Sequence, residues 1–169
     1  MNGEIINRVA NSGLITVDLS DYAPKDPILE FDIKNLLFEG IILKEKEFRL
    51  SLKKINFEKY QGKITALFCS AEAIIPMWTY MLVSSYLNPI CSQLHFGTKE
   101  QVFQTLVLSQ IESINPEKFK DRKVIIKGCG SPSIKEGLYV AITKKLQNSV
   151  SSLMFGEACS AVPVYKKKK

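Results

Sequence analysis

The sequence predicts an α/β fold: a mostly parallel sheet with helices on both faces, a three-layer arrangement. Three observations carry this reading. Between residues 63 and 155, short apolar runs and amphipathic helical patterns alternate three times, and strand–helix–strand order implies right-handed crossovers between parallel strands. Two of the helical patterns open on capping-box sequences, Thr98-Lys99-Glu100-Gln101 and Ser133-Ile134-Lys135-Glu136. The 169 residues are 46% apolar and 24% charged, enough to bury a substantial core in one domain.

The N-terminal part is the less regular. Residues 5–10 read as a short helix and 14–19 as a strand, and Asp26-Pro27 marks a turn. Residues 28–33 alternate apolar and polar, as a half-buried strand does. Beyond Gly40, Phe48, Leu52 and Ile55 recur at helical spacing in the charged segment 44–55, which makes an amphipathic helix. From Gly62 the pattern sharpens. A strand at 63–68 leads to an apolar helix over about 73–87, where Pro76 is tolerable in the first turn. A second strand at 92–96 precedes a helix with Val102, Phe103, Leu106, Val107 and Ile111 on one face. A third at 123–127 precedes a helix striped by Ile134, Leu138, Ile142 and Leu146. Residues 151–155 form a fourth strand, and 162–165 add an edge. No internal repeat and no Gly/Ser- or Pro-rich linker stands out, so a single domain over 1–169 is expected, ending in a flexible lysine tail at 166–169.

Charge and apolar segments narrow the setting. Of the formal net charge of +6, four charges belong to Lys166, Lys167, Lys168 and Lys169, which leaves 19 basic residues against 17 acidic ones. That near balance argues against nucleic acid as a partner. No stretch reaches the ~20 continuous apolar residues of a membrane helix. The first residues show neither a basic leader nor a long apolar core, so a signal peptide is not expected. A cytoplasmic, reducing location follows, where four cysteines are thiols or metal ligands rather than disulfides.

Residues just past parallel strands gather at one sheet edge, where open α/β proteins place their ligands. Cys69 follows its strand directly, Cys129 lies two residues past Lys127, and Cys159 lies in the loop after Phe155. Cys91 begins its strand and belongs to the opposite edge. Cys69 and Cys129 sit ahead of helices, where free N–H groups and the helix dipole favour a thiolate. Three clustered thiolates repel one another unless a cation holds them, so zinc or an iron–sulfur cluster is the expected occupant. Glu157, Glu72 and His95 are candidates for a fourth ligand. The competing readings are a thiol nucleophile at Cys129 or Cys69, with Glu72 or Glu157 as acid/base, and inert core cysteines.

The segment 73–87 carries no charged residue, Glu72 lying just before it; a helix apolar nearly all round is buried between layers or at a homodimer face. The sequence Gly128-Cys129-Gly130-Ser131-Pro132-Ser133 resembles an anion-binding loop at a helix start but lacks the spacing of a P-loop or dinucleotide fingerprint. No Ser/His/Asp nucleophile elbow is present.

Read as a set, Asn7-Arg8-Val9-Ala10-Asn11-Ser12-Gly13, Leu37-Phe38-Glu39-Gly40, Cys69-Ser70-Ala71-Glu72-Ala73-Ile74-Ile75-Pro76, Lys127-Gly128-Cys129 and Phe155-Gly156-Glu157-Ala158-Cys159-Ser160 span essentially the whole chain. The set resembles a family known only as a domain of unknown function, number 2480, of Bacteroidetes type. The resemblance implies a bacterial, intracellular, single-domain protein and brings no established activity. Its motifs include the positions of Cys69, Cys129 and Cys159; Cys91 and His95 lie outside them.

Overall fold

The computed structural model describes residues 13–128 and 133–168; the helix expected at 5–10 lies outside them. In chain order the elements are β1 (Leu14–Asp18), β2 (Ile28–Asp32), α1 (Glu45–Lys53), β3 (Ile64–Phe68), α2 (Met77–Leu87), β4 (Gln93–Phe96), α3 (Lys99–Ser113), β5 (Lys123–Lys127), α4 (Glu136–Leu146), β6 (Ser152–Phe155) and β7 (Val162–Lys166). Short 3-10 helices follow β1 and β2 and precede β3 and β5.

The α/β alternation is present, but the strands build two sheets rather than one. The chain divides into two compact units, Pro24–Phe103 and a second that joins the segment ending at Ala23 to the chain from Gln104 onward. The first unit holds the parallel sheet β2-β3-β4, and the second holds β1-β5-β6-β7, parallel except for antiparallel β7. Strand–helix alternation predicts crossovers but not which strands share a ladder. Here β4 and β5, successive in sequence, are joined by α3 and do not pair. The inner strands β3 and β5 are buried through successive residues: Ile64, Thr65, Ala66 and Leu67 of β3 and Val124, Ile125 and Ile126 of β5 are all buried. Burial of successive residues, whose side chains alternate between faces, means that both faces of these strands are covered.

The two units follow one plan, a repeat that the sequence did not disclose. Each begins with a strand ending in aspartate. Asp18 Oδ1 accepts the Ser20 N–H at 3.0 Å, and Asp32 Oδ1 accepts the Lys34 N–H at 3.0 Å, opening matched 3-10 helices. Beyond these, positions correspond at a constant offset, as Ile55 stands to Ile114. Ile55-Asn56-Phe57-Glu58-Lys59-Tyr60 matches Ile114-Asn115-Pro116-Glu117-Lys118-Phe119. In both, the asparagine Oδ1 accepts the glutamate N–H, at 2.8 and 3.0 Å. The core pairs also match: Phe48 with Val107, Leu52 with Ile111, Val83 with Ile142 and Leu87 with Leu146, every one fully buried. The edge-to-face pair Tyr80–Phe96, with ring centroids 5.5 Å apart, has its counterpart in Tyr139–Phe155 at 5.6 Å. Both copies close on a glycine after the third strand: the Gly97 N–H reaches Leu67 O and the Gly156 N–H reaches Ile126 O, each at 3.0 Å. Their φ values of 127° and 110° favour glycine at both positions.

Local signals are partly realised. The Thr98 box forms, with Thr98 N–H donating to Gln101 Oε1 at 2.9 Å and Gln101 N–H to Thr98 Oγ1 at 3.4 Å. The Ser133 box does not: α4 starts at Glu136, and its N-cap residue is Lys135, without a side-chain cap. Likewise α2 starts at Met77 with Pro76 as N-cap, because proline holds the residue before it out of helical conformation. This helix is not buried all round within one chain. Thr79, Val83 and Leu87 are buried, whereas Met77 and Met81 are 75% and 72% exposed. Nor is the lysine run wholly a free tail. Lys166 ends β7, the Lys167 N–H donates to Ser151 O at 2.9 Å, and Lys167 Nζ lies 3.1 Å from Asp121 Oδ1.

The repeat generates a prediction. Thr65 and Thr79 are fully buried, and their hydroxyls have no hydrogen-bond partner among the described residues. The matching positions hold Val124 and Leu138. Leaving a buried hydroxyl unpaired costs about 1–3 kcal/mol. Thr65→Val is therefore expected to stabilise the protein by about 1 kcal/mol, read as a rise in the urea midpoint at unchanged slope.

Candidate functional site at the carboxyl ends of the strands

In the unit built on β1, β5 and β6, the parallel register sets Asp18 beside Lys127 at the ends of β1 and β5. Lys127 Nζ lies 3.3 Å from Asp18 Oδ2 and 3.8 Å from Oε1 of Glu157, two residues past β6. Asp18 Oδ1 also accepts the Ser20 hydroxyl at 2.5 Å. That hydrogen bond, with the Ser20 N–H and Lys127, outweighs burial and holds the Asp18 carboxyl below the usual range. Lys127 is correspondingly raised, first by its bond to Asp18 and then by the charges of Glu157 and Asp21. One ammonium thus pairs with two carboxylates, and Asp21 adds a weaker field. Gly128, next in the chain, is buried so tightly that a Cβ there would come within 3.0 Å of Tyr139 Oη and 3.1 Å of Leu19 Cβ. Cys159 is a free, exposed thiol in the loop past Glu157, where the Ser160 N–H turns back onto Glu157 O at 2.9 Å.

In the other unit the matching edge is built differently. Asp32, counterpart of Asp18, accepts the Ser70 N–H at 3.0 Å on Oδ1 and the Ser70 hydroxyl at 2.5 Å on Oδ2. It thereby ties the loop after β3 to the end of β2. Burial pushes the Asp32 carboxyl up, but the bonds from Ser70 and Lys34 more than offset this and leave it below its usual range. Cys69 is free and half-buried against the core of this unit. It lies near Tyr80, whose phenol is raised first by burial and then by the charge of Cys69. Phe68 stands where the other unit has Lys127, Cys69 where it has Gly128, and Thr98 where it has Glu157.

The expectation that Cys69 and Cys159 follow strands of one sheet is not met. Cys69 follows a strand of the β2-β3-β4 sheet and Cys159 a strand of the β1-β5-β6-β7 sheet; Cys129 lies outside the described residues. Cys91 is on the amino-terminal side of β4, its N–H donating to Leu87 O at 3.0 Å. Glu72 is exposed in the loop between β3 and α2, and His95 Nε2 is 3.0 Å from Gln93 Oε1 within β4. Among the described residues, no group of three His, Cys, Asp or Glu side chains is placed to hold a metal ion. The sequence reading overlooked Asp18, Lys127, Asp32 and Ser70. Their signal was there: two apolar strands, each ending in aspartate, stand close together in the N-terminal part.

Fold and edge together define a duplicated α/β protein with polar and thiol groups concentrated past its strand ends. The chain belongs to the family described as "Protein of unknown function (DUF2480)", which matches residues 3–167. No curated protein and no solved structure matches it. No helix among the described residues is long and apolar enough to cross a membrane.

Because the Asp32 carboxyl is depressed in the folded protein, its stabilising contribution is complete above the ordinary value of 3.8 and is lost as pH falls through the folded value. Asp32→Asn is expected to destabilise at pH 7 by about 1 kcal/mol, a value reduced by solvent screening because its bonds to Ser70 are exposed. The gap from wild type should narrow on acidification toward pH ~2, measured as urea midpoints across a pH series.

Proposed function

We propose that this is a bacterial cytoplasmic protein that binds a metal ion, zinc, or an iron–sulfur cluster through Cys69, Cys129 and Cys159. Glu157, Glu72, His95 or an exogenous ligand would complete the coordination. The observation that carries the reading is the position of the thiols: Cys69 and Cys159 are free and follow strands at their carboxyl ends, the side on which open α/β sheets bind ligands. The excess of carboxylate around Lys127 adds a negative field that favours a cation. The near-balanced charge outside the lysine run gives nucleic acid no part in the proposal.

A second reading is a thiol-dependent enzyme. Its support is the half-buried Cys69 beside Tyr80, a nucleophile next to a second titratable group. Rapid alkylation of one thiol in metal-free protein would favour it.

We also assign a homodimer to this protein, as its uncharged helix leads one to expect, with Met77 and Met81 left outside the core of one chain.

Protein purified without oxygen is expected to carry metal by elemental analysis, with visible absorption if the occupant is a cluster. Cys69→Ser, Cys129→Ser and Cys159→Ser should each lower the stoichiometry at least severalfold, since two cysteines hold zinc or a cluster poorly. Cys91→Ser should leave it unchanged. Wild-type protein that carries no metal and takes up neither added zinc nor a reconstituted cluster would refute the proposal.

A further inference from the structure

Resting on the homodimer reading, we propose that two copies of this chain join edge to edge through β4, pairing it antiparallel with its twin and covering Met77, Met81 and Phe96. The repeat supplies the argument. In the other unit β6 holds the place of β4, and its outer edge is taken by β7, an antiparallel strand running from Ser152↔Lys166 to Phe155↔Val162. Among the described residues, the sheet β2-β3-β4 ends at β4. The cost of that difference is visible in one pair of residues: Phe155 is 38% exposed, whereas its counterpart Phe96 is 75% exposed.

The backbone of β4 is suited to receive a strand. The Gly97 N–H points inward to Leu67 O at 3.0 Å, in register with the pairing of Phe96 beside Leu67, so alternation along the strand turns the N–H and C=O groups of Leu94 and Phe96 outward. Proteins usually guard such edges with proline or lysine. The outer strand of the other sheet, Val162-Pro163-Val164-Tyr165-Lys166, carries both. The strand Gln93-Leu94-His95-Phe96 carries neither.

The side chains beside this edge name the occupant. Met77 and Met81 lie one turn apart on α2, and Tyr80 between them packs edge-to-face on Phe96; together they extend the open strand into an apolar surface. The helix has no charged residue from Met77 to Leu87. A twofold axis places like residues against like. A surface without charge tolerates that operation, and an antiparallel strand pair is self-complementary under it. The partner is therefore a second copy of this chain.

Light scattering of the full chain over a concentration series tests the proposal, with amide hydrogen exchange on the same samples. Wild type is expected at twice the 19.0 kDa chain mass. Met81→Glu, at an exposed position that folding tolerates, should raise the dimer dissociation constant at least tenfold. Val140→Glu, at the matching exposed position of α4, should leave it unchanged. The Leu94 and Phe96 amides should exchange slowly in the dimer and at least tenfold faster in Met81→Glu. A monomeric wild type would overturn both the homodimer and this surface. A dimer indifferent to Met81→Glu would overturn the surface and leave the homodimer standing. A dimer sensitive to Met81→Glu whose Leu94 and Phe96 amides exchange as fast as in the monomer would overturn strand pairing.

Discussion

Burial of β3 and β5 on both faces is the constraint from which the rest of this structure follows. A strand with apolar side chains on both sides is stable only between covering layers, with its backbone groups paired to neighbouring strands. The parallel partners of β3 and β5 meet the second demand and require long crossovers, which the helices supply. Charged and reactive groups are then displaced to the strand ends and the loops beyond them. Asp18, Lys127 and Glu157 stand there in one unit, and Asp32, Cys69 and Ser70 in the other.

The duplication separates what the plan needs from what each unit has acquired. The strand-terminal aspartates, the glutamate N–H bonds to the asparagines ahead of the 3-10 helices, the Tyr–Phe ring pairs and the closing glycines occur in both units. These features turn the chain, pack it or cap it. The charged trio of Asp18, Lys127 and Glu157 occurs in one unit only, because Phe68 and Thr98 replace two of its members in the other. A second divergence concerns the sheet edge, where β7 is added to one unit. The third lies in the core, where Thr65 and Thr79 replace aliphatic residues. Such differences between otherwise matched units are where separate roles can reside.

Much of this was legible residue by residue. The apolar stripe of Leu138, Ile142 and Leu146 is buried as its spacing predicts, and Phe48 and Leu52 bury the face of α1 assigned to them. The Thr98 box forms because its two partners are three residues apart, a local matter. The Ser133 box fails although its residues fit the same pattern, so matching residue types alone did not start the helix there. The repeat escaped notice because its matched positions conserve burial more than identity. Val107 stands for Phe48 and Thr79 for Leu138, substitutions that keep a place in the core while changing the letter.

What the sequence determined by itself were the local periodicities: the alternation of strand and helix, the buried stripes, and the direction that puts Cys69 after a strand and Cys91 before one. Only the tertiary structure decided that β1 pairs with β5 and β2 with β3, so that two sheets form and Cys69 and Cys159 follow strands of different ones. The reason is physical. A side chain's face follows from its position within a few residues, whereas a strand's hydrogen-bonding partner lies far away in sequence and is selected by the packing of the whole unit.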